Sequence, residues 1–266
     1  MAKLETATPN RFMNTHTVRT ALVTGAGARI GRAIALGLAG RGWAVAVHYH
    51  HSDEAAKATV GDIERLGGRA FAVPADLADE VQVESLVTRA GAMLGPVTCV
   101  VNNASVFERD DALTATRESW DMHMDVNLRA PLVLAQQLAA QLPEGETGNV
   151  INLIDQRVLR LTPLFTSYTV SKAALWTLTQ TLAQALAPRI RVNAIAPGPT
   201  LPNIRQAPGD FRAQVDALPL QRGPALEEFV AAVAFILEAG SVTGQMIALD
   251  GGQHLAWQTP DVMGVE

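Results

Sequence analysis

A chain of 266 residues, 48% hydrophobic and 18% charged, is long enough to bury a sizeable core and too apolar to be disordered. Its net charge of −5 supplies no broad cationic field, which excludes a sequence-independent grip on nucleic acid but leaves room for a local phosphate pocket. The single cysteine, Cys99, excludes an internal disulfide framework and a multi-thiolate zinc site, and no run approaches the roughly 20 apolar residues of a membrane helix.

Residues 1–18 mix charged and polar groups without a hydrophobic h-region and read as a flexible leader, not a signal peptide. A reducing, cytoplasmic setting is expected by elimination. Residues 19–23 read as a strand broken by Gly25, Ala26 and Gly27, with a small-residue helix over 30–38. A second strand covers 43–49, and a helix over 52–66 ends at Gly67-Gly68. A third strand at 69–73 precedes a helix over 80–94. The apolar run 97–101 reads as a strand covered on both faces, with Cys99 a buried structural thiol. A long helical pattern spans 117–142 and includes Pro131. A fifth strand at 149–154, a helix over 167–186 and a sixth strand at 190–195 follow. Residues 197–224 hold six prolines and three glycines, so a long irregular segment is expected, with a substrate lid at about 199–225. A helix over 226–238 and a short strand at 246–249 lead to a tail at 257–266, either loose or packed on a partner subunit. Strands alternating with helices in this way predict one α/β domain over 19–256, a parallel sheet with helices on both faces.

Thr24-Gly25-Ala26-Gly27-Ala28-Arg29-Ile30-Gly31 follows a strand and opens a helix. Glycine there lets the backbone approach a pyrophosphate, and the helix N-terminus offers free N–H groups to the anion. Such a turn also serves any tight strand–helix connection; its place after the first strand favours the nucleotide. The second strand runs into His48-Tyr49-His50-His51-Ser52 with no carboxylate before Asp53. An acid at that point would bond the ribose hydroxyls of NAD and repel a 2′-phosphate, so its absence, with Arg29 nearby, favours NADP(H). Arg29 also fits a plain surface cation at a helix start. No metal site is expected: consecutive strand positions face opposite ways, so His50 and His51 should diverge. Tyr168 and Lys172 stand four apart on one helical face, where an ammonium favours the phenolate and should lower the Tyr168 pKa.

These pieces resemble the short-chain dehydrogenase/reductase family from about Thr20 to Leu255. The resemblance is carried by Thr24-Gly25 with Gly31, Ala75-Asp76-Leu77, Asn102-Asn103-Ala104, Asn127, Tyr168 with Lys172, Pro197-Gly198 and Asp250-Gly251-Gly252. It implies a single Rossmann domain with a seven-stranded parallel sheet, commonly a homotetramer. Tyr168 would be the proton donor, Lys172 the ribose anchor, and Asn127 the holder of a relay water. Asp76 and Leu77 would border the adenine, and Ile30, Asn103, Ala104, Pro197 and Gly198 the rest of the nucleotide groove.

The ordinary family member carries a serine about thirteen residues before the tyrosine; here that position holds Asp155. A carboxylate is a poor partner for a carbonyl oxygen gaining charge, whereas a carboxylic acid can protonate a ring nitrogen as hydride reaches the adjacent carbon. Alternatively Asp155 is a polar residue at a strand end, with Thr166 or Ser167 serving in its place. The chain further resembles the pteridine reductases and dihydromonapterin reductases, through Arg29-Ile30-Gly31, through His48, Tyr49, His50 and Ser52, through Asn103-Ala104-Ser105 with Phe107, and through Asp250 to His254 and Leu255. The pteridine reductases have arginine where His51 stands. In that branch a pterin lies between the nicotinamide and an aromatic ring matched by Phe107, with Arg29, Ser105 and Thr200 also at the substrate. A loop aromatic covering the sheet edge is the plainer reading of Phe107. The expected activity is NADPH-dependent reduction of a pterin C=N bond. The rivals are a carbonyl reductase, a cyclic-imine reductase and a nucleotide-binding sensor without turnover.

Overall fold

Strands whose side chains are apolar on both faces need cover on both, and the computed structural model shows how the chain provides it. It describes residues 19–203, 206 and 209–257. The expected leader at 1–18 and the tail from 258 onward lie outside the described residues. Seven parallel strands, β1 (Thr20–Val23), β2 (Ala44–Tyr49), β3 (Ala70–Pro74), β4 (Val97–Asn102), β5 (Gly148–Leu153), β6 (Ile190–Pro197) and β7 (Met246–Leu249), form one sheet in the order β3-β2-β1-β4-β5-β6-β7.

Alternate residues divide the core between two layers. Leu22 of β1 joins Leu86 of α3 (Glu80–Leu94), Leu134 and Leu138 of α5 (Ala130–Gln141) and Leu182 of α6 (Thr166–Ala185) on one face. Ala21 and Val23 join Ile34 of α1 (Arg29–Ala39), Ile63 of α2 (Asp53–Arg65) and Phe229 of α8 (Leu226–Glu238) on the other. Cys99 is fully buried in this second cluster, and burial pushes its thiol up to about 12. The fold is therefore a single Rossmann-like domain, as expected.

Two expectations about elements change. The pattern over 117–142 is not one α-helix: α4 (Arg117–Met124) passes through a π-turn (Asp125–Arg129) into α5. Pro131 is the second residue of α5, directly after the π-turn. The proline-rich stretch is not wholly irregular either, because it contains α7 (Asp210–Asp216). Among the described residues no helix is long and apolar enough to cross a membrane. Strand order reverses where β1 pairs with β2 on one side and β4 on the other, so a crevice opens at their carboxyl ends. The glycine turn and Asn103 both lie there.

Candidate active site

The turns after β1 and β4 are sewn together. Thr24 Oγ1 accepts from the backbone N–H of Asn103 (2.9 Å) and Ala104 (3.0 Å). The Asn103 amide donates to the carbonyls of Thr24 (2.8 Å) and Gly25 (3.2 Å). A Cβ on Gly31 would collide with the Gly25 carbonyl and that same amide, so only glycine fits. Helix α1 has no side-chain cap and no acid in its first turn, which leaves its N-terminus available to an anion.

His48 braces the turn from below, a role the sequence did not suggest. Its Nδ1 accepts from Gly25 N–H (3.1 Å), so Nε2 carries the proton and donates to the Ala75 carbonyl (3.1 Å). Burial lowers its pKa from 6.5 to about 4, partly opposed by the Ala75 bond. A histidine ending the otherwise apolar stretch AVAV was the available signal.

The end of β2 corrects an expectation. His50 and His51 do not diverge: their rings stack with centroids 3.5 Å apart. Both follow the last strand residue, Tyr49, so period-two alternation no longer governs them. His50 Nε2 lies 3.7 Å from Asp76 Oδ2, placing both on one rim. His51 and Ser52 are exposed beside it, and the Ser52 side chain makes no capping bond. The Leu77 side chain is buried in the core with Val83 and Leu86, which leaves its backbone for any ligand. Among the described residues no group of three or more His, Cys, Asp or Glu is arranged to hold a metal.

Asp155 follows β5 and opens a short 3₁₀ turn (Gln156–Val158). One carboxylate oxygen accepts from Arg157 N–H (2.7 Å), and the other accepts from the Tyr168 hydroxyl (2.8 Å). Lys172, one turn further along α6, donates to the Leu153 carbonyl (2.8 Å), with Nζ 5.8 Å from the Tyr168 ring centre. Burial lowers Lys172 to about 8, opposed by the charge of Asp155. Tyr168 contradicts the sequence expectation. Burial, then the charge and hydrogen bond of Asp155, hold it well above the ordinary phenol range. The expectation failed because Lys172 turns to a backbone carbonyl while a carboxylate takes the phenol.

Asn127 lies in the π-turn with its side chain fully engaged. It accepts from Ser105 Oγ (3.1 Å) and Val106 N–H (2.9 Å), and donates to the Val106 carbonyl (3.0 Å) and Ser171 Oγ (3.1 Å). Both donors and both acceptors are used, so a relay water would need its backbone.

A cavity of about 750 Å³ joins these parts. Arg29, Ile30, Asn103, Ser105, Phe107, Asp155, Tyr168, Lys172, Pro197, Gly198 and Thr200 all line it. His50, His51, Ser52, Asp76 and Leu77 do not; His50, with His51 stacked on it, meets Asp76 on the separate rim. Gly25, Gly31, Ala104 and Asn127 do not line it either; Gly25 and Gly31 pack against its lining residue Asn103, and Asn127 bonds its lining residue Ser105. Phe107 stacks on Phe165 (4.4 Å, 10° between planes) and meets the Tyr168 ring edge-on at 4.6 Å. Phe165 was missed; an aromatic three residues before Tyr168 was its signal. Arg29 starts α1 at φ +54° and donates to the carbonyls of Leu201 (3.1 Å) and Pro202 (3.0 Å), so it crosses to the proline-rich segment. Thr200 Oγ1 bonds the Gly198 carbonyl (3.0 Å). A Cβ on Gly223 would strike the Pro199 carbonyl, so the two ends of the segment touch.

A Rossmann sheet, a glycine turn at its switch point and a Tyr–Lys pair above β5 define a dehydrogenase-type site. The family model described as enoyl-(acyl carrier protein) reductase matches residues 25–254. The chain belongs to the short-chain dehydrogenase/reductase family. Among its relatives, the 3-oxoacyl-[acyl-carrier-protein] reductase FabG of Staphylococcus epidermidis is 34% identical over 242 residues, 89% of this chain and 99% of that one. Among solved structures, the FolM alternative dihydrofolate reductase 1 of Brucella canis, complexed with NADP, is 51% identical with a TM-score of 0.88, covering 92% of this chain and 98% of that one. The corresponding Brucella suis protein, also with NADP, is 53% identical with a TM-score of 0.89, covering 91% and 98%.

Proposed function

We propose that this protein is an NADP-dependent reductase acting on a C=N bond of a pterin of the dihydropterin or dihydrofolate type. The observation that carries the reading is the Asp155 carboxyl, which lines the cavity and holds the Tyr168 hydroxyl at 2.8 Å. The NADP-bound FolM proteins support it, at 51% and 53% identity against 34% for the FabG relative. That relative favours a second reading, reduction of a 3-oxoacyl thioester, but a carboxylate facing a developing alkoxide opposes it.

The residues present fit the cofactor. Gly25, Gly31, Arg29 and Ile30 would hold the pyrophosphate, with Asn103 and Ala104 beside them. His50, His51 and Ser52 would take the 2′-phosphate, and Asp76 with the Leu77 backbone the adenine. Lys172 and Tyr168 would hold the ribose, and Pro197 and Gly198 would border the nicotinamide. When bound, the reduced nicotinamide supplies hydride to the substrate carbon. Phe107, Ser105, Thr200 and Arg29 would orient the flat ring. Asp155 and Tyr168, with water, would supply the proton to the neighbouring nitrogen. Tyr168 stays a donor at neutral pH because its phenol is held so high. The Asn127 backbone would hold the relay water. The rest of the reading follows the family: one catalytic domain over 19–256 with a lid near 199–225, assembled as a homotetramer in the cytoplasm.

Cofactor titration beside steady-state rates tests the assignment. Asp155→Ser should lower kcat/KM for the pterin by about 100-fold or more, within the usual range for an acid–base group. The NADPH Kd should stay within about twofold, since Asp155 is placed at the substrate and not the nucleotide. Equal losses in both would count against it.

A further inference from the structure

A second polar cluster lies behind the aromatic wall, outside the proton-donating pair. Asp110, His123 and Ser167 are 4%, 0% and 0% exposed. They come from the loop after β4, the last turn of α4 and the first turn of α6. The Asp110 carboxylate accepts from Ser167 N–H (3.1 Å), from the Ser167 hydroxyl and from Ser119 Oγ (3.2 Å). His123 Nε2 accepts from Glu108 N–H (3.1 Å), so Nδ1 carries the proton. That Nδ1–H is shared between the Ser119 carbonyl (2.7 Å) and Ser167 Oγ (2.8 Å).

Helix α6 has no local cap: its N-cap position is Phe165, at φ +62°. Asp110 supplies the missing acceptor from 57 residues away and sets a negative charge on the helix N-terminus. Burial alone would raise the Asp110 pKa, but the bonds from Ser167 and Ser119 outweigh it and hold the carboxyl below its ordinary value. The same clamp bonds Phe165 N–H to the Asp110 carbonyl (2.7 Å) and pairs Asp111 with Leu164. Phe107 precedes Asp110 by three residues and Phe165 precedes Ser167 by two, so the cluster grips both ends of the ring stack.

We propose that Asp110, His123 and Ser167 are positioning residues that set the Phe107–Phe165 wall against the Tyr168–Asp155 pair and so fix the pose of the substrate ring. Their effect on turnover rests on the pterin reading above; their effect on the wall does not. None of the three lines the cavity, so each acts through the aromatic rings and Tyr168. A misplacement of about 1 Å at a reacting centre can cost about 100-fold in rate.

The test compares wild type, Asp110→Ala and Asp110→Asn as NADPH-bound enzymes. Asp110→Ala should lower kcat for the dihydropterin by about 100-fold while the NADPH Kd stays within about twofold. Asp110→Asn keeps an acceptor for Ser167 N–H and should recover at least about a tenth of the wild-type rate. If Asp110→Ala does not fold, Ser167→Ala and His123→Gln carry the same expectation of lost turnover with retained NADPH binding. Turnover and cofactor affinity falling together, or wild-type turnover in every variant, would overturn the proposal. A crystal structure of an NADPH-bound variant reads the cluster without substrate. The Phe107–Phe165 stack should open while the Tyr168–Asp155 bond persists, and an unchanged stack would also overturn it. Wild type that turns over no pterin refutes the substrate reading and leaves this structural arm standing.

Discussion

Asp155 holds the Arg157 backbone with one oxygen and the Tyr168 phenol with the other, so its carboxyl is aimed by two bonds made through separate atoms. This residue was legible because chemistry and spacing coincide: an acid thirteen residues before Tyr168 departs from the family habit at one recognisable position. Tyr168 and Lys172 were legible for the same reason. His48, Asp110 and Phe165 were not, since their roles come from contacts that local spacing does not encode. The Tyr168 pKa was misjudged because helical spacing brings Lys172 onto the same face but does not decide what its ammonium bonds. At this scale His51 is open to a direct test. An arginine there would add a permanent charge on the rim where the 2′-phosphate is placed. The ratio of kcat/KM for NADPH over NADH should rise by about tenfold in His51→Arg. An unmoved ratio would remove His51 from the phosphate.

Among the elements, the regular ones were legible from pattern. Helix α3 and helix α8 fall on the expected residues, and strand ends differ by a residue or two. The π-turn was hidden because an inserted residue does not break the apolar periodicity on either side of it. Helix α7 was hidden because the prolines and glycines around it dominate the composition, and none of its residues is buried. Arg29 ties the start of the proline-rich segment to α1 through the Leu201 and Pro202 carbonyls. Removing that side chain should leave the sheet intact and loosen the cavity. Arg29→Ala should raise KM for both NADPH and the pterin by about tenfold, since charged hydrogen bonds of this kind are worth about 1.5–3 kcal/mol. Steady-state measurement of both constants checks it; a change in neither would contradict the bridging role.

Across the whole molecule, one buried histidine ties three parallel strands together. His48 on β2 links the turn after β1 to the end of β3 through Gly25 and Ala75. Unfolded, it takes up a proton near 6.5; folded, only near 4. The unfolded chain therefore binds more protons in that window, and stability rises with pH through it. The contribution is complete above about 6.5 and is lost as pH falls toward 4, about 3 kcal/mol in all. Urea midpoints between pH 7.5 and 4.5 should fall less steeply in His48→Gln than in wild type, and equal slopes would contradict the assignment. The parallel sheet with helices on both faces followed from alternating strands and helices, whereas the strand order that opens the crevice is seen only in the folded chain. What fills the crevice depends on a few side chains at its edge, above all an acid in place of an alcohol. The most direct measurement is therefore wild-type kcat/KM with NADPH for a dihydropterin and for a 3-oxoacyl thioester, side by side. The account predicts a preference of about 100-fold or more for the dihydropterin, the scale of one well-placed acid–base group. Faster turnover of the thioester would contradict it.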